Sequence, residues 1–532
     1  MKKRFLKKGF AFGLGLALSV TTLANGALSV TAYAAETRTV NINDNGTIAG
    51  INNPEPASSA KSSWSNGNGS YIYFGNYYIN STSGKEPIIW RVLDVNNDAD
   101  SNGSGDSYLV LADKVMDSVL WDPNEDNYDP YTGICTWQYC NLNLWMNSKN
   151  YKDDTQYHSA YTSGGFLNAA FVTVEQDALS KTTKGAAGTN PVSYKNSFGI
   201  TYTKQVSSDA ITGEKVFIPS IAEIKTPKYG FFNNSSSTDA TTSIIFGRTK
   251  YAGSKSAGPL NSASCYTLRG LATNGLDIGY VSNYGAFNTS ALLSVSTSYH
   301  GILPSCNITK SSVLFTKDYN STFSTFGSTS TSSSNKWTLV IKDGNNSFRA
   351  TRNGNDTISF TGGQIKLTGI SGATTGTNAS NQISALIVDS NNSVISYGKI
   401  ANANVSEATV NIPSLASGVY TLKVFSEQAN TNGATSYASN MVSIPFAVGY
   451  ANVEPPKDPD PVDTTLYGDL NNDSKIDSSD SVLLKQYLAD YTEVKNSINM
   501  KAADVDCNGT IDAVDAVVLA KYLAGYDITL GK

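Results

Sequence analysis

Charge is scarce in this chain. Only 16% of its 532 residues are Asp, Glu, Lys or Arg, against 40% hydrophobic, and the formal net charge is −5. A pI near 5.3 with no basic stripe argues against a nucleic-acid partner. Histidine is scarcer still: His158 and His300 are the only two. With no zinc-type Cys/His spacing, that leaves little for histidine-based metal or nucleophile chemistry, and a lone histidine is more often structural. Neither a G-x-S-x-G elbow nor an H-E-x-x-H helix occurs. Past the N-terminus no apolar run is long enough to span a bilayer, and no hydrophobic tail stands at the C-terminal end. There are five cysteines. Export would permit disulfides, with Cys135–Cys140 and Cys265–Cys306 as the candidate pairs.

What is present starts with an export signal. Five early Lys/Arg precede an apolar run and then Ala32-Tyr33-Ala34, an A-x-A cleavage site. The mature chain is expected to begin at Ala35 or Glu36, so residues 1–35 are read as a signal peptide and the protein as secreted. Ser, Thr, Asn, Gly and 30 Tyr give a surface- or matrix-protein flavour. FSTFGSTSTSSSNK reads as a flexible Ser/Thr-rich linker at 323–335, and NVEPPKDPDPVDTT as a stiff Pro/Asp-rich spacer at 450–465. The linkers leave three parts: 37–322, 336–449 and 466–530.

The last part writes the same acidic loop and apolar helix twice. Asp469, Asn471, Asp473, Asp477 and Asp480 stand at positions 1, 3, 5, 9 and 12 of a twelve-residue loop. Asp504, Asp506, Asn508, Asp512 and Asp515 repeat the pattern 35 residues later. Calcium takes six to eight oxygens, one of them the position-7 carbonyl, here from Lys475 and Thr510. Ile476 and Ile511 follow at position 8, where the loop packs inward. Each loop opens a helix with matched apolar spacing, Leu484/Leu488 and Leu519/Leu523, with Tyr487 and Tyr522 in equivalent slots. An acidic, turn-rich tail would not keep this register twice.

This pair of loops resembles the type I dockerin. The resemblance implies a small helical unit folded around two Ca2+ ions, bound by all twelve residues named above, that plugs into a cohesin domain on a scaffold protein. Partner contacts in that family come from loop positions 10 and 11 and the following helix. Here those are Ser478, Ser479, Lys485 and Gln486 in one half and Ala513, Val514, Ala520 and Lys521 in the other. The halves differ at these positions, which puts dual-orientation docking in doubt. Ser474 replaces the position-6 glycine that Gly509 supplies in the second loop, and Cys507 occupies a position that gives no ligand.

The middle part alternates apolar and polar residues in runs such as WTLVIKD, ISALIVDS and GVYTLKVFSE, which suggests a β-sandwich. LASGVYTLKVF resembles the late strand of immunoglobulin-like bacterial modules, with Leu422 and Val424 facing the core and Tyr420 near the sheet edge. The first part reads as α+β. SYIYFGNYYI, PIIWRVLDV and SYLVLADKV are strand-like, CNLNLWMNS is helical, and FLNAAFVTVEQDALSKT is a longer amphipathic helix. These runs resemble a poorly characterised family of exported bacterial domains. The landmarks are Tyr73-Phe74-Gly75, Pro87 to Leu93, Thr136-Trp137, Cys140, Trp145-Met146-Asn147, Phe166-Leu167-Asn168, Val216 to Ser220, Leu268-Arg269 and Gly301 to Pro304. Two helices with a loop-rich sheet look like the C-type-lectin-like class.

No catalytic set stands out. WDPNEDNYDP offers Asp122, Glu125, Asp126 and Asp129 beside Trp121, Tyr128 and Tyr131, but a solvated loop or a further calcium site reads better than a glycosidase pair. Trp90, Trp137 and Trp145 read as core, and Trp64 and Trp121 as surface candidates for a sugar. Three functions stay open: a dockerin-borne component that binds polysaccharide, a glycan-degrading hydrolase with an unrecognised catalytic module, and a cell-surface adhesion or structural protein.

Overall fold

The computed structural model describes residues 38–449 and 465–531. Within them it leaves out 45, 57–68, 122–135, 139, 150–164, 186–189, 196–200, 207–208, 232–244, 256–264, 272–277, 284, 286, 289–299, 322, 324–325, 356, 376–379, 431–432, 474, 496 and 527. The expected signal peptide, the Pro/Asp-rich spacer, Trp64, His158 and most of the WDPNEDNYDP loop fall outside the described residues. The chain divides into two compact units, 1–455 and 456–532.

The first unit is mostly β with few helices; the α+β reading of 37–322 gives its helices more weight than they have. A 14-stranded sheet runs through it. Its strand Lys336–Lys342 pairs along one edge with Tyr71–Tyr78 and then Ser436–Ala438, parallel to both, and along the other edge with Val313–Asp318, antiparallel. The strand is buried on both faces. Trp337, Leu339 and Ile341 join the core of the N-terminal part, while Val340 packs with Phe315, Leu386 and Phe425. This double burial follows from the period-2 alternation of a strand.

The segment 323–335 is therefore not the flexible linker its composition suggests. Its Gly327–Ser328 pairs with Val394–Asn402, and the Phe323 ring packs on Tyr397 at 5.2 Å. Ser and Thr have modest strand propensity, and a sheet edge decides their conformation. A buried polar cluster sits where the first and middle parts meet. Lys317 Nζ lies 3.6 Å from Glu427 Oε1 and donates to Ser436 Oγ at 2.9 Å, while the Tyr397 hydroxyl donates to Glu427 at 2.7 Å.

In the middle part, Arg349–Asn353, Gly363–Ser371 and Ala408–Ile412 form a separate three-stranded sheet. Its Ile365, Leu367 and Val410 share one core with Ile383, Leu422, Val424 and Phe446 of the large sheet. Tyr420 lies at the margin of that core, its hydroxyl donating to the Ala416 carbonyl at 3.0 Å.

The helices of the first unit are short. FLNAAFVTVEQD forms two, Phe166–Ala170 and Thr173–Asp177, because Phe171 is extended at φ −132° and ψ 131°. The break turns the Phe171 ring onto Gly75, where a Cβ would come within 2.5 Å of it. Glu175 then closes the second helix start by accepting from the Val172 amide at 3.0 Å. Gly75, at φ +70° and without a side chain, is what admits the aromatic ring.

Most of the aromatic and aliphatic residues of the N-terminal pattern meet in the core, while Asn168 is exposed. Trp90, Trp137 and Trp145 are buried, and Trp121, expected at the surface, is 1% exposed. Trp121 packs beside Trp137 at 6.0 Å. Asn147 Oδ1 accepts from the amides of Lys215 and Val216, both at 3.0 Å, and so stitches a helix end to a strand. Cys140 caps the helix Asn141–Met146, its Sγ accepting from the Asn143 amide at 3.4 Å; Cys135 lies outside the described residues. Cys265 and Cys306 carry free thiols, so the disulfide considered between them is not formed. Cys306 is fully buried on the strand Ser305–Thr309, and burial pushes its thiol pKa up.

Arg269 is 3% exposed and donates to the Ile218 carbonyl at 2.5 Å and to Glu223 Oε2 at 3.2 Å. Lys184 reaches Glu223 Oε1 at 2.7 Å. Burial raises the Glu223 pKa, but the two cations outweigh it and hold the carboxyl well below its usual range. Folded Glu223 therefore titrates below its unfolded counterpart. Its stabilisation is present above the unfolded pKa, near 4.3, and is lost as the pH falls through the folded value. Replacing Glu223 by Gln is expected to lower the stability of this unit by about 3 kcal/mol at pH 7. The gap to wild type should narrow below about pH 4, which denaturant titrations at pH 7 and pH 3 would measure.

Candidate functional site

The C-terminal unit is helical. Ser478–Leu488 and Ala513–Leu523 are its two longer helices, each entered from an acidic loop. Its core is small. Leu470, Leu484, Val494, Ile498, Ala503, Val505 and Leu519 are buried, with Ile476 and Ile511 packed against them. Leu488 and Leu523 are 37% and 36% exposed, so only the first leucine of each expected pair is core. Tyr467 and Gly468 pack under Leu530 and Gly531, and the Gly531 amide donates to the Val505 carbonyl at 2.8 Å.

Each loop is organised by one fully buried aspartate. In the first, Asp480 Oδ1 accepts from the Leu470 amide at 2.9 Å, and Oδ2 accepts from the Asp477 amide at 2.9 Å. In the second, Asp515 Oδ1 accepts from the Val505 amide at 2.9 Å and Oδ2 from the Asp512 amide at 2.8 Å. Both aspartates have no exposed surface. One carboxylate thus ties the start of a loop to its helix. Asp477 and Asp512 are the N-caps, accepting from the amides of Ser479 and Val514. The Ser479 hydroxyl and amide hold the Asp477 carboxyl below its usual pKa.

The turns match as well. Asp469 accepts from the Asp473 amide at 3.1 Å, and Asp504 from the Asn508 amide at 3.1 Å. Position 4 is left-handed in both, with Asn472 at φ 59° and Cys507 at φ 54°. Gly509 follows at φ +86°, a conformation suited to glycine, and its amide donates to Asp504 at 2.9 Å. Ser474, the equivalent residue of the first loop, is outside the described residues. Cys507 is exposed, as its non-ligand position implies. Carboxylate oxygens of Asp504, Asp506 and Asp515 lie within 4.8 Å of one another. Three like charges that close repel, and a hard cation with several oxygen ligands relieves the repulsion.

The family model for the dockerin type I domain matches residues 467–524. The C-terminal module is a type I dockerin. The model for a domain of unknown function (DUF6273) matches residues 105–310. No curated protein matches the chain. Dockerins of this type bind calcium and pair with cohesin modules in cellulosome-like assemblies, and proteins that bear them are typically extracellular. No helix among the described residues is long and apolar enough to cross a membrane.

The expected partner residues of the dockerin mostly face solvent. Ser478, Ser479 and Lys485, and Ala513, Val514, Ala520 and Lys521, are exposed, while Gln486 is half-buried. Sequence reading missed Val482 and Val517, which are 51% and 52% exposed. They occupy the same slot of the two helices, 35 residues apart, and that shared offset was the available signal. Val517 and Val514 together give the second helix a more apolar exposed face than the first, which has Val482.

A turn in the first unit was also missed. Asp98-Ala99-Asp100-Ser101-Asn102-Gly103 makes the same bonds as 504–509: Asp98 accepts from the amides of Asn102 and Gly103 at 3.0 and 2.8 Å. Among the described residues, three carboxylates converge only at Asp504, Asp506 and Asp515.

Removing the Asp515 side chain leaves the buried Val505 amide without its acceptor, a loss of about 1–3 kcal/mol for each group so orphaned. Asp515→Ala is therefore expected to destabilise the dockerin by about 2–4 kcal/mol. Hydrogen exchange at the Val505 amide should be at least tenfold faster than in wild type, whereas Ser478→Ala, on the exposed face, should leave it unchanged.

Proposed function

We propose that this is a secreted component of a cohesin-scaffolded assembly, held there by a dockerin that folds around two calcium ions, and that its β-rich unit serves polysaccharide binding. In this reading the first ion is held by Asp469, Asn471, Asp473, Asp477 and Asp480 with the Lys475 carbonyl. The second is held by Asp504, Asp506, Asn508, Asp512 and Asp515 with the Thr510 carbonyl. The observation that carries it is the bond-for-bond repetition of the two loops around Asp480 and Asp515. A repeated hydrogen-bond frame with acidic groups at the ligand spacing suits one hard cation per loop. The A-x-A signal supports export. The mature chain would then comprise a lectin-like module at 37–322, an immunoglobulin-like sandwich at 336–449 and the dockerin at 466–530.

Cohesin recognition is assigned to the exposed faces around Ser478, Ser479, Lys485 and Gln486, and around Ala513, Val514, Ala520 and Lys521. The first face is hydroxyl-rich and the second apolar, so a given cohesin should prefer one of them. The pattern residues of the DUF6273 region support a non-catalytic part. Arg269, Glu223 and Asn147, its notable polar groups, are engaged in holding the core together.

The test is cohesin binding by the full chain with and without calcium. Excess EGTA is expected to abolish binding, because metal binding and folding are coupled in such a module, and added calcium should restore it. Undiminished binding in the chelator would overturn the reading.

A further inference from the structure

We propose that the first unit binds a neutral saccharide in a cleft formed by Tyr73, Tyr319, Asn80, Glu86 and Asp113. The proposal deepens the polysaccharide reading above and rests on it. The cleft has a volume of about 440 Å³, within the range of ligand sites and large enough for one or two sugar rings.

Its wall is a pair of stacked tyrosines. The rings of Tyr73 and Tyr319 lie 4.0 Å apart and 5° from parallel. Tyr73 is buried, while Tyr319 is 38% exposed. The stack is fixed from behind by Gly433, at φ +79°, where a Cβ would come within 2.6 Å of Tyr319 and 2.9 Å of Tyr73. The Tyr319 amide also donates to the Lys336 carbonyl at 3.0 Å. An aromatic platform held this way loses little entropy on binding, and its face suits the C–H face of a pyranose.

The polar groups are equally fixed. Asn80 Nδ2 donates to both Glu86 oxygens, at 2.9 and 2.8 Å. Arg91 Nε donates to Asp113 Oδ1 at 2.7 Å, and the Arg91 guanidinium is set over the Phe246 ring at 4.5 Å. Each carboxylate keeps acceptor capacity for sugar hydroxyls. Thr249 and the exposed Lys114 complete the polar lining. Two carboxylates set against Arg91 and Lys114 leave the site near neutrality, which favours an uncharged sugar over a uronate. The larger cavity, about 560 Å³, is lined by Lys310, Lys342 and Lys423 and has no aromatic ring to stack on a sugar.

The test is affinity electrophoresis of the full chain, with calcium, in native gels containing hydroxyethylcellulose, xylan, glucomannan or polygalacturonate. Retardation by at least one neutral polymer is expected. Tyr319→Ala should weaken it at least fivefold and Glu86→Gln at least twofold, with cohesin binding unchanged. Glu86 is only partly buried, so its variant keeps the test usable should Tyr319→Ala misfold. Equal retardation of wild type and both variants would overturn this site while leaving the polysaccharide reading in place. Retardation by none of the polymers would overturn both, and retardation by polygalacturonate alone would overturn the neutral-sugar assignment.

Discussion

A single buried carboxylate per loop is the constraint on which the C-terminal module depends. Asp480 and Asp515 each accept backbone amides from both ends of a twelve-residue loop, with no exposed surface. Among the described residues, the apolar cluster beneath them has seven buried side chains. So few apolar groups contribute little stability to a unit of this size, and small domains of this kind commonly depend on a metal or a disulfide. The carboxylates that frame the loops also repel one another. The geometry that a cation would relieve is therefore the geometry from which the helices start.

The first unit is built on another principle. Its strand Lys336–Lys342 is buried on both sides and joins the N-terminal and middle parts in one sheet. Lys317, Tyr397 and Glu427 reinforce that junction with buried hydrogen bonds. Such a junction holds loops and cleft walls from distant parts of the chain in fixed relation. Tyr73 and Tyr319 illustrate this: they are far apart in sequence, yet stack because Tyr73 is on the strand along one edge of Lys336–Lys342 and Tyr319 directly follows the strand Val313–Asp318 along the other.

How much of this was legible in the sequence depends on the range of the interactions. The helix starts of the dockerin are local, set by spacing within twelve residues, and the helices do open at Asp477 and Asp512 as that spacing predicts. The core positions of Trp90, Trp137 and Trp145, which sit among apolar neighbours, also read correctly. Trp121 did not, because acidic residues beside it in sequence suggested solvent while its ring packs on Trp137. The Ser/Thr run at 323–335 looked like a linker because composition carries no record of an edge strand waiting for Gly327–Ser328. The long helix after Phe166 broke at Phe171 because Gly75, far away in sequence, opens a space for the ring. The tyrosine cleft was invisible for the same reason, since no short pattern joins residues 73, 86, 113 and 319.

The central claim is that the paired loops are calcium sites organised by Asp480 and Asp515. The most direct measurement is native mass spectrometry of the full chain across a calcium series, for wild type and for Asp480→Ala/Asp515→Ala. The account predicts that wild type holds two more calcium ions than the double variant. Equal calcium content in the two proteins would contradict it.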